Sequence, residues 1–201
     1  MTAYAVFLRG VNVGGINLKM ADVKETLAAL PVTDVSTLLA SGNAVLRSDL
    51  SAEALKRAVQ DALRARFGYD AWVIVITADD VDAMVSACPY PPDDASTHTY
   101  VTLSTDSAVL EELWVLAEGA GTEHARLSPT ATAWLAPVGG TLDSTMSKAT
   151  AKAKFKATTT TRNLRTMLKV QAAVQKLAEQ GQHGAGKQNA PGLSDRGRSS
   201  Q

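Results

Sequence analysis

The chain has 201 residues, enough for one domain or two small ones, and its 45% hydrophobic content supplies a substantial core. Its single cysteine, Cys88, excludes an intramolecular disulfide and a cysteine-rich zinc site, and no apolar run approaches a membrane span. The 20 basic and 20 acidic residues cancel, and with no signal-peptide pattern the expectation is a cytoplasmic protein without membrane attachment.

Residues 4–8, YAVFL, are an apolar run of the kind that forms a buried strand, and the run stops at Arg9-Gly10. The loop that follows is rich in glycine (Gly10, Gly14, Gly15) and carries two amides, Asn12 and Asn17, between the cations Arg9 and Lys19. Strand, glycine-rich loop and helix in that order favour an anion, because amides at a helix start point at it. The spacing fits neither GxGxxG nor GxxxxGK[ST], so no nucleotide fingerprint is present. A tight connection whose glycines only solve a steric problem is the alternative.

The pattern then predicts a helix over residues 20–30, ended by Pro31, and a hairpin of 34–40 and 43–48 around Ser41-Gly42-Asn43. A helix over 52–67, capped by Ser51 and closed by Gly68, leads to an apolar strand at 72–77. Strand, helix, strand, strand, helix, strand is the ferredoxin-like order. A helix at 79–87, a proline-broken stretch, and a strand at 98–104 follow. Ser107 then caps a helix at 108–118, and a second hairpin spans 122–127 and 130–136. A basic helix at 148–155 and a last helix from Asn163 to about Glu179, capped by Thr161 or Asn163, complete the pattern. The expected architecture is α+β, with two ferredoxin-like (βαββαβ-type) halves of antiparallel sheet, the second short of its final strand, plus a basic C-terminal helix. The corresponding units are 1–78, 79–143, a basic segment 144–179 that packs on the body, and a disordered tail 180–201.

FLRGVNVGGINLKM, LLASGNAVL at 38–46, Ser147-Lys148 and TTRNLRTMLKV at 160–170 resemble the motifs of the DUF1697 family, bacterial proteins whose function is not established. The resemblance spans about residues 3–178. It implies a fold and a set of positions but no reaction. It departs at Leu164, where the family usually has an aromatic residue.

Those positions define the candidate ligand site: Arg9, Asn12, Gly14, Gly15 and Asn17, then Ser41 and Asn43, then Lys148, Arg162, Asn163 and Thr166. Arginine grips phosphate, and amides and hydroxyls complete an oxygen-rich ligand's hydrogen bonds, so a shared anion pocket for a nucleotide or other phosphate compound is expected. The rival reading makes Arg162 and Asn163 a bolt between the last helix and the glycine loop.

Residues 1–143 hold 9 basic against 18 acidic side chains, whereas 144–178 hold 8 basic and no acidic ones. Lys148, Lys152, Lys154, Lys156, Arg162, Arg165, Lys169 and Lys176, with Phe155 to stack on a base, suggest a nucleic-acid module as an alternative. The acidic body opposes it, and a solvated basic helix face is the simpler account. An enzyme acting on a phosphorylated metabolite is a further alternative, with Arg9, Lys148 and Arg162 stabilising charge. No catalytic residue is assigned: His98 and His124 stand in strands without a nucleophile motif, and no cofactor fingerprint or metal-ligand spacing is present.

Overall fold

The computed structural model describes residues 1–9, 18–68, 70–156 and 158–185. Strand β1 (Thr2–Arg9) is followed by α1 (Met20–Ala28), β2 (Val32–Leu38), β3 (Asn43–Ser48), α2 (Ala52–Phe67) and β4 (Trp72–Thr77). These strands form one antiparallel sheet in the order β2-β3-β1-β4, the ferredoxin-like arrangement. After α3 (Ala78–Ser86) come β5 (Thr97–Ser104), α4 (Ser107–Gly119), β6 (His124–Ser128) and β7 (Ala131–Pro137). A 3-10 turn (Thr141–Asp143), α5 (Thr145–Ala151), α6 (Ala153–Lys156), β8 (Thr159–Asn163) and α7 (Leu164–Ala185) complete the chain.

The second sheet, β6-β7-β5-β8, is also antiparallel and repeats the first order with four strands. The expectation that this half lacks its last strand is therefore corrected. Its missing member is β8, whose sequence TTTRN carries no apolar residue and reads as a helix cap until β5 supplies the ladder that pairs it. The helix expected at 148–155 is instead the pair α5 and α6, and α7 runs past its expected end near residue 179.

Local chemistry explains most boundaries. Ser51 Oγ accepts the Ala54 N–H at 3.3 Å, and Gly68 closes α2 in the left-handed region at φ 69°. Asp106, rather than the expected Ser107, caps α4, its Oδ1 accepting the Ala108 N–H at 2.9 Å. Asn163 Oδ1 accepts the Arg165 N–H at 2.8 Å and so caps α7.

The two sheets face one another with α3 and α7 between them. Ala3, Ala5 and Phe7 of β1 pack there against Val81 and Met84 of α3, Met167, Val170 and Val174 of α7, and Val101 and Leu103 of β5. The alternate residues Tyr4, Val6 and Leu8 meet α1 and α2 on the outer face. Burial on both faces is why β1 reads as a continuous apolar run, and each such Leu or Val contributes about 1.5–3 kcal/mol. On the far side, α4 and α5 cover Trp134 and Ala136 of β7. Leu164, the departure from the family pattern, is 3% exposed and lies in the central core.

Candidate functional site

β8 is an edge strand, and two arginines cover its outward carbonyls. Arg162 leaves the strand on the side facing the first sheet and crosses to it. Its Nε donates to Asn43 Oδ1 at 2.6 Å. Nη1 donates to Thr160 Oγ1 at 2.7 Å and the Thr161 carbonyl at 2.9 Å. Nη2 donates to the carbonyls of Leu8 at 2.7 Å and Gly42 at 3.2 Å. A guanidinium has five N–H groups, so all of them are engaged within the protein. Its cation also lies 5.8 Å from the centre of the Phe7 ring. Arg9, at the end of β1, reaches the other way: Nη1 donates to the carbonyl and hydroxyl of Thr159, and Nη2 to the Thr150 carbonyl at 3.1 Å.

These acceptors are neutral, and among the described ion pairs neither arginine has a carboxylate partner. Burial lowers the Arg9 guanidinium from its ordinary value. Burial first, then repulsion from Arg9, lowers that of Arg162 to about 10, still charged at neutral pH. The two cations meet at a cleft of about 610 Å³ lined by Leu8, Arg9, Ser41, Tyr100, Trp134, the segment Thr141-Leu142, Ser147, Thr150 and β8. Asp143, the residue after Leu142 in the chain, is exposed and 3.4 Å from Lys148.

Three hydroxyls of the cleft are arranged as donors. Ser41 Oγ accepts from Asn43 Nδ2 at 2.9 Å, Thr160 Oγ1 accepts from Arg162, and Thr141 Oγ1 accepts from the Tyr100 hydroxyl at 3.3 Å. Each oxygen receives a proton and keeps its own to give. Thr161 turns its carbonyl outward to Arg162, and antiparallel geometry turns its N–H outward with it.

Of the residues expected at the site, Arg9, Ser41 and Arg162 line this cleft, and Asn43 lies behind it, fully buried. Asn43 Nδ2 also donates to the Leu38 carbonyl at 3.0 Å, so this side chain shapes the hairpin turn and holds Arg162. For Arg162 the bonds are those of a bolt, made to the first sheet rather than to the glycine loop as expected. Asn163 caps α7, Lys148 pairs with Asp143, and Thr166 is half-buried in the first turn of α7; none of the three lines the cleft. Asn12, Gly14, Gly15 and Asn17 lie outside the described residues. Sequence reasoning missed Tyr100, Trp134, Thr141, Leu142 and Thr150. Tyr100 and Trp134 had one signal, an aromatic in each of two strands, but their adjacency depends on register.

Elsewhere, the buried Asp93 carboxylate bonds His98 Nδ1 and pairs with Arg165. Lys154 pairs with Glu112. Phe155, expected to stack on a base, is 1% exposed and belongs to the core under α4. Among the described residues no group of His, Cys, Asp and Glu could hold a metal ion, and no helix is long and apolar enough to cross a membrane.

Residues 1–131 match the model of the family described as protein of unknown function, DUF1697. The conserved bacterial protein SP0830 from Streptococcus pneumoniae has the same fold, with a TM-score of 0.70 at 20% identity over 86% of this chain and 98% of that one. No curated protein matches the sequence.

Proposed function

We propose that this chain, which belongs to the DUF1697 family, binds a small anionic or phosphate-bearing ligand in the cleft between the end of β1 and the edge of β8. The observation that carries the reading is the convergence there of two arginines that neutral acceptors hold and no described carboxylate neutralises. Two like charges brought together away from water are costly, and an anion between them offsets that cost. At about 4 Å and an effective dielectric of about 20, one ion pair is worth about 4 kcal/mol before desolvation. The roles divide. Arg162 acts through its charge, because its donors are engaged, while hydroxyls of Ser41, Thr141 and Thr160 supply hydrogen bonds to an acceptor-only group.

The basic segment's own contacts favour this reading over a nucleic-acid module. Lys148, Lys154 and Arg165 pair with Asp143, Glu112 and Asp93, and Phe155 is buried.

Thermal unfolding with phosphate, pyrophosphate and sulfate tests the proposal. A ligand at a hundredfold excess over its dissociation constant adds about 2.7 kcal/mol, or roughly 5–10 °C for a chain of this size. The shift is expected in the wild type and is lost in Arg9→Ala. No shift in the wild type with any of the three anions, or an equal shift in Arg9→Ala, would overturn it.

A further inference from the structure

We infer that the ligand of this cleft carries an aromatic ring as well as an anionic group, and that a mononucleotide is the class it fits. The inference rests on the anion-binding reading and adds the aromatic wall of the same cleft. There, Tyr100 of β5 and Trp134 of β7 are cross-strand partners, with ring centres 4.9 Å apart and planes inclined by 23°. Trp134 is 1% exposed and fixed from behind, its Nε1 donating to Thr102 Oγ1 at 3.0 Å. The Tyr100 hydroxyl is held by Thr141. A half-buried tyrosine ring, backed on one face and tethered at its tip, is a rigid wall that costs little further entropy when a second ring stacks on it.

Leu142 lines the same cleft and is 86% exposed, the most exposed large apolar side chain among the described residues. A bare inorganic anion would use Arg9, Arg162 and the hydroxyl donors but leave Tyr100 and Leu142 without a role. A volume of about 610 Å³ falls within the range of small-molecule sites, about 300–1,000 Å³, and is far more than one phosphate fills. Ser147 and Thr161 also line the cleft, the Thr161 hydroxyl held by Thr102 Oγ1 at 2.9 Å, and a polar lining of this kind suits a sugar better than a second ring. Ring, polyol and anion in one molecule describe a nucleoside monophosphate.

Isothermal titration calorimetry on the full chain, with the four common nucleoside 5′-monophosphates, ribose 5-phosphate, inorganic phosphate, benzoate and adenosine, tests the inference. At least one nucleotide is expected to bind about tenfold or more tightly than ribose 5-phosphate, the margin one base stack provides. In Tyr100→Leu that margin shrinks to about threefold or less. If ribose 5-phosphate binds as tightly as every nucleotide, or Tyr100→Leu keeps the margin, the aromatic assignment falls and the anion site stands. Benzoate binding as tightly as the best nucleotide overturns the nucleotide class. If no phosphate compound binds, both readings fall together. Should Tyr100→Leu not fold, saturation-transfer NMR on the wild type decides: transfer from protein aromatic protons to base protons is expected, and none overturns the inference.

Discussion

Replacing Arg162 by Met probes the central claim that one side chain joins the two sheets. Arg162 is 8% exposed, and loss of its guanidinium strips donors from Asn43 Oδ1, the Leu8 and Gly42 carbonyls, Thr160 Oγ1 and the Thr161 carbonyl. All but the Thr161 carbonyl belong to buried residues, and the Gly42 carbonyl keeps the Leu8 N–H as a donor. An unpaired buried acceptor costs about 1–3 kcal/mol, so with Asn43 Oδ1 and the Leu8 carbonyl deprived of their Arg162 donors the expected loss is about 3–5 kcal/mol. Relief of the repulsion with Arg9 offsets a small part of it. Urea unfolding followed by circular dichroism measures the difference, which corresponds to a fall in Tm of roughly 10 °C. Arg162→Lys separates charge from geometry: an ammonium keeps the cation but has three donors, so it is expected to recover less than half of the loss. Full recovery by lysine, or a loss below about 1 kcal/mol in Arg162→Met, would refute the argument that the five-donor fork fastens the sheets. A double-mutant cycle with Asn43→Ala should show coupling on the order of 1–3 kcal/mol.

Gly42 has φ 78°, and its carbonyl accepts both the Leu8 N–H and Arg162, so Gly42→Ala should cost about 1–2 kcal/mol in the same assay. Cys88 is half-buried, and burial raises its thiol above its ordinary value. Its reaction with a thiol reagent at neutral pH should be much slower in the folded chain than in urea. The exposed Asp94 carboxylate accepts the N–H groups and hydroxyls of Ser96 and Thr97, which hold it well below its ordinary value of 3.8. A carboxylate lowered in the folded state contributes stability that is present above 3.8 and is lost as pH falls below it. In Asp94→Asn, the decline of Tm between about pH 5 and about pH 2 should be shallower than in the wild type.

Elements whose signals are local were legible in the residues alone. The apolar run of β1, the hairpin around Gly42, the Ser51 cap and the Gly68 stop all stand where residue chemistry places them. The sequence also marked Arg9, Ser41 and Arg162 as positions that come together, through a family resemblance rather than any spacing rule. The rest depended on which elements pack together. β8 is a strand only because β5 offers it a ladder, since three threonines, an arginine and an asparagine have no periodicity that announces a buried face. The role of Arg162 could not be read from its type, because the same guanidinium can hold an anion or five carbonyl and side-chain oxygens, and only the fold brings Leu8, Gly42 and Asn43 within its reach. Tyr100 and Trp134 are separated in sequence and stacked in space, because register between β5 and β7 is set by which face of each strand is buried. Sequence carries such faces as a pattern within each strand; which strands become neighbours is settled when the two halves pack.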